Sequence, residues 1–281
     1  MLKLIEKNYF KINLAFILIV AVYCMCGLIV PLQFISANKV VAGGMTLLGI
    51  LLATYNLVIK KVYLKIKTIE YLLLFFAFNI ITSILVISYG YSTNIKNALI
   101  FYIYFLTVFP IFTGVTREEG KKIYDYFFYT VTVLNTFGVL VSLIQFILLK
   151  GYRVHDYKGL YIRQGFVESR LFGILASPNF LSLISLIVII FLITKIGSFI
   201  KVYKNISILA IVLNFIYIVL SGSRTAFICM MIAVVIYSIV MFYQKGNTKS
   251  LLKVVMAIIV VLFSYKAVNF TSEQYLKYNK E

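Results

Sequence analysis

The chain has 281 residues, of which 62% are hydrophobic and only 13% are charged. This composition excludes an ordinary soluble domain and predicts an integral membrane protein. The formal net charge of +18 does not indicate nucleic-acid binding, because the cations lie in short clusters between apolar runs. Such clusters are typical of loops that flank membrane spans. We therefore expect membrane lipid, and no nucleic acid, among the partners.

The apolar runs are roughly 15–24 residues long and show no strict alternation, so they predict helices that cross a bilayer. We predict an all-α fold: a polytopic transmembrane helix bundle of about nine spans, with its N-terminus cytoplasmic. The bundle is expected to form a single integral membrane domain over residues 1–281. The predicted spans are approximately 12–32, 40–59, 69–88, 98–115, 125–149, 178–194, 206–220, 224–243 and 251–268.

The cations between the spans predict the orientation. With the N-terminus inside, 16 of the 27 Lys and Arg residues lie on the cytoplasmic side and 11 lie outside, as the positive-inside rule favours. The segment 150–179, predicted to be an external loop leading into the sixth span, breaches this rule. Its five cations are Lys150, Arg153, Lys158, Arg163 and Arg170. Anion binding at the outer surface would explain the breach; the alternative is a miscounted span that would place this segment inside.

The segment 150–179 ends on a pattern that predicts a helix start. Ser177 can act as the N-cap, Pro178 suits the first helical position, and Asn179 adds a polar group. The unpaired N–H groups of this helix start would face the outer side, close to Arg170 in the sequence.

A second helix start, Ser221-Gly222-Ser223-Arg224, is predicted on the same side. Ser221 or Ser223 is the expected cap, and Arg224 falls in the first turn. A cation in the first turn opposes the helix dipole, so its position suggests an anion nearby. Arginine also offers paired donors that suit phosphate. The alternative is that both arginines only extend to the lipid headgroups, as cations next to spans often do.

The two motifs resemble those of the O-antigen ligase and O-antigen polymerase superfamily of bacterial envelope enzymes. The first motif is Arg170-x-x-Gly173 leading into Pro178-Asn179, and the second is Ser221-x-Ser223-Arg224. The resemblance covers roughly residues 160–245, and the first five predicted spans are similar only in general hydropathy.

The resemblance implies a glycosyltransferase of the bacterial inner membrane. Such an enzyme moves an oligosaccharide from a polyprenyl pyrophosphate carrier to an acceptor hydroxyl at the outer face. It implies catalytic roles for Arg170 and Arg224, which would hold the pyrophosphate and stabilise it as the leaving group. No cofactor and no metal are expected. The substrate-binding residues that we predict around these two arginines are Gly173, Ser177, Pro178, Asn179, Ser221, Ser223 and Arg163.

The chain departs from the family pattern after the last predicted span. Family members carry a large external loop with further arginines and a histidine there, whereas this sequence reaches Glu281 where that loop would begin. Three interpretations stay open: the chain is an N-terminal fragment, the product of a truncated reading frame, or a divergent member of the family. The functional alternatives are a flippase or transporter of lipid-linked glycan, an anion transporter, and an inactive truncated family member.

We expect the remaining polar residues to have structural roles and no catalytic role. We expect His155 to be a solvated loop residue, and Asp156 and Glu168 to pair with nearby cations. Tyrosines near the membrane surface are expected to belong to its aromatic belt. The amide side chains within the spans are expected to hydrogen-bond between helices. These amide residues are Asn135, Gln145 and Asn214.

Overall fold

In a computed structural model, most of the chain is helical. The structure describes residues 2–61, 69–85, 94–95, 98–100, 116–155, 161–168, 170–175, 177–245 and 248–278. Its helices are α1 (Leu2–Leu28), α2 (Gln33–Ala37), α3 (Lys39–Thr54), α4 (Ile69–Leu85), α5 (Arg117–Ile147), α6 (Pro178–Lys195), α7 (Lys201–Leu220), α8 (Arg224–Lys245) and α9 (Thr248–Tyr278).

Five helical segments of the described chain are long and apolar enough to cross a membrane, which confirms the membrane-helix prediction in this coarse form. They are Asn8–Leu28, Lys39–Ile59, Arg117–Ile147, Pro178–Ser198 and Lys201–Leu220. Two shorter apolar helical segments lie at Leu73–Leu85 and Arg224–Ala233. The predicted fourth span, 98–115, falls almost entirely outside the described residues. The total of nine spans and the cytoplasmic N-terminus stay predictions.

The chain divides into two compact units. The first comprises residues 1–24 and 35–130, and the second comprises residues 25–34 and 131–281. In the first unit, Ile17 and Ile123 form a buried cluster. The Tyr9 hydroxyl donates a hydrogen bond of 2.6 Å to Asn56 Oδ1, which joins α1 to the helical turn that follows α3.

The second unit contains a three-stranded antiparallel sheet that the all-α prediction did not include. Its strands are β1 (Gly151–His155), β2 (Tyr161–Val167) and β3 (Arg170–Gly173), in the order β1-β2-β3. They occupy the segment expected to be an external loop. The strands contain Tyr, Val, Ile and Phe, which fit a pleated and half-buried surface. The sheet therefore gives fixed backbone positions to the arginines of this segment.

The sheet is tied to the helices of the second unit by apolar packing and by main-chain bonds. Leu171 from β3 and Leu175 after it are buried in one core with Tyr217 of α7 and Val139 of α5. The Val30 N–H donates 2.9 Å to the Ile174 carbonyl. Burial of these side chains is the favourable term that fixes β3 against α5 and α7.

Several helix ends of the second unit meet beside the sheet. Phe146, at the end of α5, packs against Phe166 of β2 with ring centroids 5.1 Å apart. Tyr275, near the end of α9, donates a hydrogen bond to the Ile147 carbonyl at the end of α5. The start of α6 and the turn between α7 and α8 both contact Arg170 of β3. This common end is where the candidate site is found.

Candidate functional site

Arg170 contacts both motifs through its guanidinium group. Its Nε donates 2.9 Å to the Ser221 carbonyl, and its Nη2 donates 3.2 Å to Asn179 Oδ1. The guanidinium carbon also lies 5.9 Å from the centroid of the Phe172 ring, within cation–π range. The structure thus brings together Arg170, the start of α6 and the turn before α8. We call this arrangement, with residues Arg170, Asn179 and Ser221–Arg224, the Arg170 site.

The charge of Arg170 is not neutralised within the described part of the chain. Both acceptors, a carbonyl and an amide oxygen, are neutral, and no carboxylate of the described residues pairs with this arginine. A guanidinium has five N–H donors, and two of them are used here. The remaining three have no acceptor among the described residues. Arg170 is half-buried, so its position is fixed while donors stay available to an anion.

Ser223 is the residue that caps α8. Its Oγ accepts a hydrogen bond of 3.4 Å from the Ala226 N–H, three residues into the helix. Arg224 follows as the first residue of α8 and is exposed. It makes no hydrogen bond or ion pair with the described residues. The prediction left Ser221 and Ser223 as alternative caps, and the structure selects Ser223.

Ser221 stabilises the turn between α7 and α8 and links the end of α7 to α6. It is fully buried, and its Oγ lies 2.7 Å from Ser182 Oγ of α6. The same Oγ accepts 3.3 Å from the Ser223 N–H. The next residue, Gly222, has a φ of 63°, and a Cβ at this position would lie 3.3 Å from Arg170 Nε. The hydroxyls of both serines are engaged within the protein, so these residues build the site around Arg170.

The start of α6 lies at Pro178 and its N-cap is Ser177, both as predicted. Ser177 has the extended backbone of an N-cap, yet its side chain makes no capping hydrogen bond. Pro178 is buried at the first helical position, where its missing N–H costs nothing. Asn179 is exposed and directs its Oδ1 to Arg170 instead. The N-cap position predicted for Ser177 is therefore confirmed, but its side chain does not supply the capping hydrogen bond.

Gly173 has a packing role at the end of β3. Its φ of 67° is one that residues with a Cβ rarely adopt, and a Cβ there would overlap the Ser142 side chain. The Ser142 Oγ donates 2.7 Å to the Gly138 carbonyl and accepts 3.3 Å from the Ile174 N–H. The glycine of the first motif thus allows β3 to approach α5 closely.

Arg163 lies on the same sheet but its charge is neutralised. Its Nη1 is 2.6 Å from Glu168 Oε2, and both side chains are about half exposed. The Arg163 guanidinium carbon lies 6.0 Å from the centroid of the Phe172 ring, the same ring that Arg170 approaches. Arg153 lies directly opposite Arg163 in the β1–β2 register. The pairing expected for Glu168 is confirmed, and it offsets the charge of Arg163.

The other polar residues follow their structural interpretations only in part. His155 is exposed at the end of β1 and stacks on Tyr161, with ring centroids 4.0 Å apart. Asn135 donates 2.7 Å to Asn214 Oδ1, which joins α5 to α7 as expected. Gln145 bonds instead to the Tyr152 hydroxyl at 3.1 Å. Asp156, Tyr157 and Lys158 lie outside the described residues.

Sequence reasoning missed four residues that support the Arg170 site: Ser142, Phe172, Ser182 and Tyr217. Tyr217 is fully buried, and its hydroxyl donates 3.2 Å to the Phe172 carbonyl. Ser182 lies one helical turn after Pro178 and donates 2.7 Å to its carbonyl. Hydroxyl groups inside apolar helices were the available signal, because such groups need partners when they are buried.

The site was compared with proteins of known family and structure. No protein-family model matches the chain, and no curated protein or solved structure gives a significant match. The resemblance to the O-antigen enzymes therefore depends on the two motifs alone. Among the described residues, no group of three or more His, Cys, Asp or Glu side chains is placed to hold a metal ion.

Proposed function

We propose that the chain is a bacterial envelope glycosyltransferase of the O-antigen ligase or polymerase type. It would transfer or polymerise an oligosaccharide carried on polyprenyl pyrophosphate, at the outer face of the inner membrane. The observation that carries this proposal is the Arg170 guanidinium, which neutral acceptors hold between the two motifs. Its other three N–H donors have no acceptor among the described residues. Such a group suits an anion that carries more than one phosphate oxygen.

In the proposed reaction, the oxygen of an acceptor hydroxyl forms a bond to the anomeric carbon of the donor sugar. The bond between that carbon and the pyrophosphate oxygen breaks, and its electron pair stays on the pyrophosphate. The hydroxyl proton passes to a base or to water. Arg170 and Arg224 stabilise the negative charge that develops on the leaving group, which is the usual role of oriented donors in such steps.

The helix starts contribute to the same task. The first N–H groups of α8 are beside Arg224 and close to the Ser221 carbonyl that holds Arg170. Helix N-termini favour phosphate because of their unpaired N–H groups and the positive end of the helix dipole. Neither a nucleotide nor a metal is needed for this mechanism.

The test is an alanine substitution in cells that depend on the protein. We expect Arg170→Ala to leave lipid-linked oligosaccharide on the outer face, with transfer lowered by about 100-fold or more, as for the loss of one oxyanion donor. Arg170→Lys should retain part of the activity, since lysine keeps the positive charge but lacks the paired N–H donors of the guanidinium. Arg117→Ala is the matched control, because Arg117 is also an exposed arginine at the first position of a helix.

Two other results would contradict the transferase proposal. Accumulation of lipid-linked oligosaccharide on the cytoplasmic face would identify a flippase. Unchanged transfer by Arg170→Ala, with the variant present in the membrane at the wild-type amount, would remove Arg170 from the mechanism.

A further inference from the structure

The hairpin of β1 and β2 has one face packed toward the protein and one exposed face. In an antiparallel sheet, directly paired side chains point to the same side, and side chains alternate along each strand. The register pairs Arg153 with Arg163 and His155 with Tyr161, so these four side chains share one face. All four are exposed, whereas Gln164 on the opposite face is buried. We call the face with Arg153, His155, Tyr161 and Arg163 the outer hairpin face.

The positive charge of this hairpin is offset only in part by the described residues. Arg153 and Arg163 lie directly opposite each other, and like charges in that position destabilise a sheet. Glu168 pairs with Arg163. No carboxylate of the described residues pairs with Arg153, or with Lys150, which is exposed just before β1. These two cations are available to attract a negatively charged surface.

The hairpin lies beside the end of a helix that is long and apolar enough to cross a membrane. Gln145, near the end of α5, donates 3.1 Å to the hydroxyl of Tyr152, which directly precedes Arg153 in β1. Ile144 and Ile147 of the same part of α5 are exposed apolar side chains, which suit contact with lipid. The headgroup layer on each side of a bilayer is roughly 5–8 Å thick. We therefore expect Arg153 at the depth of the headgroups.

Tyr161 gives the outer hairpin face a second property of segments at a membrane surface. Its side chain is 73% exposed, and its ring stacks on His155 with centroids 4.0 Å apart. Tyrosine is enriched where a protein meets lipid headgroups, because its ring is apolar and its hydroxyl is polar. An exposed aromatic ring beside unpaired cations fits a lipid surface better than a soluble polyanion, which requires only the cations.

We propose that the outer hairpin face binds the headgroups of anionic phospholipids in the membrane that α5 enters. Lys150 and Arg153 pair with the net negative charge of these headgroups, and the Tyr161 ring lies among them. Lysine and arginine at a membrane surface attract anionic lipid in this way. The contact also accounts for part of the cation excess in the segment 150–179. It does not depend on the proposed function, because neither cation belongs to the Arg170 site.

The test uses a single tryptophan as reporter, since the sequence contains no other tryptophan. Tyr161→Trp and His155→Trp each place the reporter on the outer hairpin face, so that misfolding of one variant does not end the test. Each full chain is reconstituted in nanodiscs of phosphatidylcholine and phosphatidylglycerol. One lipid at a time carries brominated acyl chains, which quench tryptophan on contact, and the two quenching curves together give the lipid preference of this face.

We expect quenching in both reporters and a preference for phosphatidylglycerol, to which Lys150 and Arg153 contribute about fivefold each. Lys150→Gln and Arg153→Gln, made singly in each reporter chain, should therefore lower the preference by about that factor. The preference should also fall in about 1 M salt, where the Debye length is only about 3 Å. Arg117→Gln is the matched control and should keep the preference, because Arg117 is exposed but shares its helical turn with two glutamates.

Three results in folded chains would overturn the proposal. Absence of quenching by either lipid would show that the outer hairpin face does not contact the membrane. Equal quenching by the two lipids would show that charge is not recognised, and a preference that survives both glutamine substitutions would exclude Lys150 and Arg153. An unquenched reporter that responds to soluble polyglutamate would identify a soluble polyanion as the partner in place of lipid.

Discussion

Two helices in the described part of the chain begin with an arginine, and the two helix starts are built differently. At the start of α5, Thr116 and Glu119 form a reciprocal cap: the Thr116 N–H donates 3.0 Å to Glu119 Oε2, and the Glu119 N–H donates 3.3 Å to Thr116 Oγ1. Glu118 and Glu119 both lie in this first turn with Arg117. At the start of α8, Ser223 caps the helix and no acidic residue lies in the first turn with Arg224.

The two helix starts differ in whether carboxylates offset the positive charge of the first-turn arginine. Carboxylates in a first turn stabilise a helix and offset the cation beside them, so the start of α5 needs nothing further. The start of α8 keeps a cation against the positive end of its dipole, and its preceding turn also holds Arg170 through the Ser221 carbonyl. Among the described residues no carboxylate pairs with Arg170 or Arg224, and the proposed function assigns a pyrophosphate to this place.

The largest effect is expected at Gly173, which lets the strand that carries Arg170 pack closely against Ser142 of α5. Gly173→Ala would combine an unfavourable positive φ with overlap on Ser142. We expect a loss of about 2–4 kcal/mol in the free energy of unfolding, measured by thermal unfolding in nanodiscs. Gly43→Ala is the control, because no atom lies within 4 Å of a Cβ at that glycine.

The Gly173 result also decides the role of the first motif. If Gly173→Ala unfolds at the wild-type temperature but no longer binds pyrophosphate, the glycine contacts the ligand and does not serve packing.

A smaller effect, on pyrophosphate affinity, is expected from a substitution that adds a carboxylate to the first turn of α8, as in α5. Thr225 is the exposed second residue of α8. Thr225→Glu would supply the missing carboxylate, so we expect pyrophosphate affinity to fall by about tenfold through competition and repulsion. Thermal stability should be equal or higher, because an acidic residue in the first turn favours the helix by about 0.3–1 kcal/mol.

Thr225→Gln has a similar size without the charge and is the control for that experiment. Equal pyrophosphate affinities in the Glu and Gln variants would show that the charge at this helix start does not govern binding.

The helix starts could be predicted from sequence because their signals are local. Pro178 and the Ser-Gly-Ser-Arg turn each lie within a few residues of the helix they begin, and α6 and α8 begin at Pro178 and Arg224. The alternation of spans predicts only that the two starts lie on the same side as Arg170. The hydrogen bonds to Asn179 and Ser221 could not be predicted, since they join residues nine and 51 positions apart.

The sheet could not be predicted with the same rules. Its strands are only four to seven residues long and contain charged side chains, so hydropathy alone describes the segment as a loop. Pairing register, such as Arg153 opposite Arg163, depends on where the chain turns and on the core beneath it. The missing capping hydrogen bond of the Ser177 side chain has a comparable cause, because general cap preferences do not specify where a side chain points in the folded protein.

The most direct measurement of the central claim is the binding of inorganic pyrophosphate to the full chain in phosphatidylcholine nanodiscs. We predict saturable binding by the wild type and by Arg117→Ala. Arg170→Ala should bind at least about tenfold more weakly, because it loses hydrogen bonds from a charged donor. Equal binding by wild type and a folded Arg170→Ala variant would contradict the account.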